Sequence, residues 1–228
     1  MSKEMVVQEN KNKIQTTSGE IELTPDIVRK YLVNGEGKVT DQEVVMFMGL
    51  CKANKLNPFN KDSYLIKYGS QPATMVVSKD VFFKRAIDNP NYDGMKSGII
   101  VLKDDEIEKR EGHIYIKGKE QILGAWCEVF RKDWGHSMYQ EVNFDEYAGY
   151  KKDGTLNSQW ASRPAVMITK VAESTALRKA FTETLQGMYL AEEVEPSNVT
   201  YQKVQEPEII EDILEDSKDG TNNTEPTE

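Results

Sequence analysis

Lys61, Lys67, Lys79, Lys84 and Arg85 stand among Phe59, Tyr64, Tyr68, Phe82 and Phe83 in one short stretch of the chain. Cations track a phosphate backbone and aromatic rings can stack on bases, so this mixture suits a single nucleic-acid strand. The same residues also have a plainer reading. Phe82 and Phe83 fit a hydrophobic core better than a base platform, and lysines commonly decorate hairpins. A second set of cations lies further on. Arg131 and Lys132 end an apolar run, and Arg163, Lys170, Arg178 and Lys179 recur along one helical stretch. Arg163 and Lys170 are spaced to share nearly one side of a helix, and the sector continues to Arg178 and Lys179. An ordinary solvated face gives this pattern too.

Other chemistries find little support. No GxxxxGK[ST] phosphate loop is present, which disfavours ATP-driven strand exchange. His113 and His136 are the only histidines, and neither is spaced with Cys51, Cys127 or the other histidine as a zinc site requires. No nucleophile and base stand together, so no catalytic residue and no cofactor are expected. Scattered carboxylates leave a metal-dependent nuclease as one alternative, and a structural or adaptor protein as another. No run of the sequence approaches a membrane span and no apolar signal segment follows Met1. Cys51 and Cys127 sit in apolar patterns and read as reduced, buried thiols of a cytoplasmic protein.

The elements that must position the cations follow from local patterns. Thr24-Pro25-Asp26 starts a helix, and Thr40 with Glu43 forms a capping box for a second, largely apolar one. Leu56-Asn57-Pro58-Phe59 breaks that helix. Ser63 to Tyr68 alternates, with Tyr64, Ile66 and Tyr68 on one face and Leu65 and Lys67 on the other. Gly69 to Pro72 turns the chain into a return strand over Thr74 to Val77, and Ser78 caps a short helix that Asn89-Pro90 ends. Strands are expected over 97–102, 113–117, 122–131 and 136–142, with 103–111 a solvated hairpin tip. A helical turn is expected over 144–147, and Ser162 to Pro164 opens a last long helix to about Leu185. The fold class is α+β: a small antiparallel sheet with a β-hairpin, flanked by helices.

The ordered series of motifs resembles the RecT/Red-beta superfamily of phage single-strand annealing proteins, closest to the Bet (Red-beta) branch. It comprises Glu43 to Lys52, the run LNPFNKDSYLIKYG, the Val-Val-Ser-Lys-Asp helix start, Asn91-Tyr92-Asp93-Gly94-Met95, Trp126 to Asp133, Trp160 to Pro164 with the following helix, and Gly187-Met188-Tyr189. The similarity covers roughly residues 40–193. It implies a protein that oligomerises on single-stranded DNA as a ring or helical filament and pairs complementary strands into an annealed duplex without ATP. It also implies a partner 5′-to-3′ exonuclease, a host single-strand-binding protein and work in the bacterial cytoplasm. Lys61 falls at a matching lysine and Arg178 at a matching arginine, while Ala165 and Val166 stand where the family has basic residues. The expected DNA-binding set is Lys61, Lys67, Lys79, Lys84, Arg85, Arg131, Lys132, Arg163, Lys170, Arg178 and Lys179. Tyr64, Tyr68 and Trp160 are candidate base-stacking or wedge residues.

Charge is distributed unevenly. The chain carries a formal net charge of -9, yet residues 192–228 hold 12 acidic and 2 basic residues, leaving 26 and 27 for residues 1–191. A near-neutral body can still carry a basic groove. The expected organisation is a flexible arm over 1–19, a DNA-binding, annealing and oligomerisation core over 20–193, and an acidic disordered tail over 194–228. Ile209, Ile210, Ile213 and Leu214 among the acids could form one short recognition turn.

Overall fold

Local signals set the helices of the first half. Thr24 accepts the Ile27 N–H and Pro25 opens α1 (Pro25–Tyr31), a position where the missing N–H costs nothing. Thr40 accepts the Glu43 N–H while the Glu43 carboxylate accepts the Thr40 N–H, closing a capping box on α2 (Asp41–Ala53). Ser78 caps α3 (Lys79–Asp88) through the Asp80 N–H. All three starts fall where the sequence places them. The computed structural model describes residues 12–194. Most of the expected arm, the acidic tail and the Ile209–Leu214 motif lie outside the described residues.

The chain divides into two compact units, one running up to Met75 and the other spanning Val76–Glu195. The core expected over 20–193 spans parts of both units.

In the first unit, β1 (Lys13–Thr16) and β2 (Gly19–Glu22) pair antiparallel with Ile14 opposite Ile21. Residues 13–19 therefore belong to a hairpin and not to a flexible arm. Ile14 and Thr16 point inward and are buried, and Thr16 Oγ1 donates to the Gly19 carbonyl across the turn. So few apolar residues leave little alternation to read in the sequence. β3 (Val33–Asn34) runs parallel to β4 (Ser63–Ile66). β5 (Thr74–Val77) is the third strand of that sheet, in the order β3-β4-β5, and carries the chain out of the first unit. Val28, Val44, Phe47, Cys51, Leu56 and Leu65 form the core.

The second unit is built on a four-stranded antiparallel sheet in the order β7-β6-β8-β9, with β6 (Tyr92–Lys103), β7 (Glu106–Glu111), β8 (Gln121–Arg131) and β9 (Met138–Asn143). Two expectations fail here. Most of the supposed hairpin tip is strand β7, reached through a tight turn at Asp104-Asp105 with both residues at positive φ. Its charges hid it, and they are tolerated because it is an edge strand. Residues 113–117, expected as a strand, pair with no strand among the described residues. α4 (Phe144–Tyr147) and α5 (Ser158–Ser162) lead to α6 (Pro164–Ala180), which packs on the sheet through Ile168, Val171, Ala172 and Ala176. The helix stops at Phe181, and α7 (Thr182–Leu185) follows as a separate turn. The α+β class holds, with small antiparallel sheets flanked by helices and one parallel pair, β3 with β4.

Candidate nucleic-acid interface

One exposed basic and aromatic cluster of the first unit is the loop after α2. The Leu56 N–H reaches back to the Cys51 carbonyl and the Lys55 N–H to that of Lys52, which closes the helix end. Such an end wants a left-handed residue, normally glycine, and here Lys55 fills it at φ 50°. Asn57 is buried and organises the next turn. Its side chain accepts the Phe59 N–H, its own N–H donates to Asp62 Oδ2, and its carbonyl accepts the Asn60 and Asp62 N–H groups. Lys61 then ends the 3-10 turn Pro58–Asn60 in the left-handed region, at φ 62°. Two lysines in a conformation that disfavours side chains thus bracket Phe59, which is 49% exposed. Lys52, Lys55 and Lys61 are exposed and form no ion pair among the described residues. Lys52 and Lys55 are additions to the sequence-derived cations, and Phe59 is one of the aromatics that the sequence already sets among them. The signal that could have found Lys55 was its place just past the helix end.

Lys67 is a different kind of residue. It shares the buried face of its strand with Leu65 and is 5% exposed. Its Nζ donates to Glu43 Oε1 at 2.6 Å, and the same carboxylate accepts the Ala73 N–H at 2.6 Å. Gly35 and Gly37 close over it, since a Cβ on Gly35 would lie 2.2 Å from the Lys67 carbonyl oxygen. Burial works to raise the Glu43 pKa, but the Lys67 ammonium and the N–H groups of Thr40 and Ala73 outweigh it, and the carboxyl lies below its ordinary value. Lys67 therefore holds the fold in place of a surface contact. Tyr64 is half-buried on the opposite face, and Tyr68 is 59% exposed just beyond it.

In the second unit the expected cations differ in exposure. Lys79, at the start of α3, pairs with the buried Glu173 of α6, whose other oxygen accepts the Ser97 hydroxyl at 2.7 Å. Arg85 donates to the Thr184 carbonyl at 2.8 Å. Arg131 grips Asp133 through two nitrogens, caps the Ala180 carbonyl and lies over the Phe181 ring. The hydrogen bonds to Asp133 raise its pKa further, so it is a permanent pin between β8 and the end of α6. Lys170 pairs with Glu192 at 2.8 Å, and Arg178 with Glu193 at 3.0 Å and the Met188 carbonyl at 3.1 Å. The basic sector expected along α6 is not continuous, with Lys170 and Arg178 half-buried in ion pairs and Arg163 and Lys179 exposed at either end. Every residue from Val171 to Leu177 is buried, because the sheet covers one side of the helix and neighbouring helices and the 188–193 segment cover much of the rest. Lys84, Lys132, Arg163 and Lys179 are exposed, with Lys132 reaching the Pro90 carbonyl and Lys179 the Gln140 side chain.

Trp160, a candidate for stacking, is instead a core residue. It is 3% exposed and meets Phe144 edge-on at 5.3 Å. The thiols are also internal. Burial pushes Cys51 to about 11 and Cys127 to about 12, so neither is a nucleophile at neutral pH. No cluster of three metal-ligating side chains exists among the described residues, and none of their helices is long and apolar enough to cross a membrane.

The RecT family model matches residues 18–209, most of the chain. The chain belongs to the RecT family. This is a family of single-strand annealing proteins of DNA recombination, which bind single-stranded DNA and oligomerise and are not, in general, enzymes. No curated protein matches the chain.

Proposed function

We propose that this RecT-family chain anneals complementary DNA strands without ATP, and that the Lys55–Lys61 loop is a principal phosphate contact. The observation that carries the reading is the pair of left-handed lysines bracketing an exposed phenyl ring. Strain at a non-glycine position persists only where its surroundings enforce it, and it marks a residue whose side chain is wanted there. Asn57 and Asp62 supply the enforcement. Lys52, Lys55 and Lys61 neutralise phosphates while Phe59 and Tyr68 offer ring faces to unpaired bases.

In the second unit, Lys84, Lys132, Arg163 and Lys179 are exposed and are that unit's own candidates for phosphate contact. Lys79, Arg85, Arg131, Lys170 and Arg178 act first by holding the surfaces that carry them. Tyr64 supports the hairpin that presents Tyr68. Phosphate contacts carry no sequence information, so the protein leaves base edges free to find their complement. Repetition over many protomers turns a weak contact into a stable annealed intermediate. An exonuclease that exposes the single strand and a single-strand-binding protein that covers it are the natural partners of such an activity in a bacterial cytoplasm.

The test uses two complementary oligonucleotides, with and without magnesium and with no nucleotide triphosphate. Annealing faster than the spontaneous rate in both conditions is expected. Binding without annealing indicates an adaptor, and shortening of the DNA in magnesium indicates a nuclease.

A further inference from the structure

The loop after α2 and the acidic end of the chain are complementary in charge and in composition. Residues 51–62 hold three cations, Lys52, Lys55 and Lys61, and one acid. That acid, Asp62, accepts the Asn57 N–H at 2.9 Å. The three lysines are exposed and form no ion pair among the described residues. Phe59 lies between them at 49% exposure, which leaves half of an apolar ring in water. Such a surface takes an anionic partner that also brings apolar groups, whether phosphates with bases or carboxylates with aliphatic side chains.

The chain itself contains a partner of the second kind. Residues 206–216 hold six acids and no Lys or Arg, and among the acids stand Ile209, Ile210, Ile213 and Leu214. That spacing gives a helical turn one apolar side and sets most of the acids on the other. The acidic region begins within the described residues, and there its carboxylates already take cations. Glu192 pairs with Lys170 at 2.8 Å and Glu193 with Arg178 at 3.0 Å. Fourteen residues, 195–208, separate Val194 from Ile209. A tether of that length spans up to about 46–50 Å, more than the roughly 30 Å diameter of a small domain. A tethered segment acts at an effective concentration on the order of millimolar, so even a weak contact is populated.

We propose that residues 206–216 dock on the loop after α2 of the same chain. Ile209, Ile210, Ile213 and Leu214 lie against Phe59, and the flanking carboxylates take Lys52, Lys55 and Lys61 in place of phosphates. The inference rests on the reading that this loop holds DNA, and it adds the regulation of that site, since a strand must displace the segment to bind there.

The test is zero-length carbodiimide cross-linking of the full chain, which joins a lysine amine to a carboxylate in contact with it, read by peptide mass spectrometry. An equal mixture of isotope-labelled and unlabelled chains separates links within a chain from links between chains. Links from residues 206–216 to Lys52, Lys55 or Lys61 are expected within one chain, and an excess of single-stranded oligonucleotide should abolish them. Ile213→Ser with Leu214→Ser keeps every charge and should lose the links. A segment docked about nine-tenths of the time lowers apparent affinity about tenfold, so this variant should bind the oligonucleotide about tenfold more tightly. No link to any of the three lysines overturns the proposal, and so do links found only between chains. Links unchanged in the serine variant also overturn it, because they mark diffuse charge attraction with no apolar seat. Links that are lost in the serine variant but persist under excess oligonucleotide, with affinity unchanged, support the docking and remove the loop from the DNA site. No links, in a protein whose DNA binding is weakened by Lys55→Ala with Lys61→Ala, sinks the docking and keeps the loop on DNA.

Discussion

Lys61 and Lys67 are six positions apart and have opposite fates. Lys61 sits in the left-handed region with its side chain in water. Lys61→Gly should relieve that strain and raise stability by about 1 kcal/mol, while removing a phosphate contact and weakening DNA binding. Thermal melts and oligonucleotide titration of the one variant should therefore move in opposite directions; movement in the same direction would assign the lysine a structural role. Lys67→Ala removes one partner of a buried pair and should cost about 3–5 kcal/mol, read by urea unfolding.

The depressed Glu43 pKa adds a pH signature. Stability from that carboxylate is present above its unfolded value of about 4.3 and is lost as pH falls through the lower folded value. Glu43→Gln should flatten that part of the acid-unfolding profile. The sequence places Lys67 on the same strand face as Leu65 but counts it among the DNA contacts, because alternation alone does not say which face is covered. The closure of Gly35 and Gly37 over it was not legible, because that contact spans two distant stretches.

At the scale of elements, caps were readable and pairings were not. Thr24, Thr40 with Glu43, and Ser78 act within one turn of chain, so their residue types suffice. β7 was missed because Glu106-Ile107-Glu108-Lys109-Arg110-Glu111 has no apolar face to read, and 113–117 was misread because strand propensity cannot supply a partner. α6 shows the same limit, since its polar residues Glu173, Ser174 and Thr175 are buried by tertiary partners. Those partners include the 188–193 segment, whose Glu192 and Glu193 occupy Lys170 and Arg178. Glu192→Gln should release Lys170 and tighten single-strand binding by on the order of 1 kcal/mol. Glu193 is nearly buried, so Glu193→Gln should chiefly lower the melting temperature. If Glu192→Gln leaves affinity unchanged, Lys170 makes no phosphate contact.

Across the whole molecule, charge decides how DNA is held. Residues 1–191 are nearly balanced while residues 192–228 hold 12 acids against 2 basic residues, so binding depends on local clusters and not on net attraction. Affinity for unrelated oligonucleotides of one length should be similar and should fall with salt. The measurement closest to the central claim is that salt dependence, taken for the unmodified chain, Lys61→Ala, Lys55→Ala with Lys61→Ala, and Lys30→Ala as a control, on an oligonucleotide short enough for one protomer. Each lost phosphate contact should reduce the log-log slope by about 0.7, so the double variant should lose about 1.4 and the control nothing. A double variant with the unmodified slope would contradict the assignment of this loop to the DNA backbone.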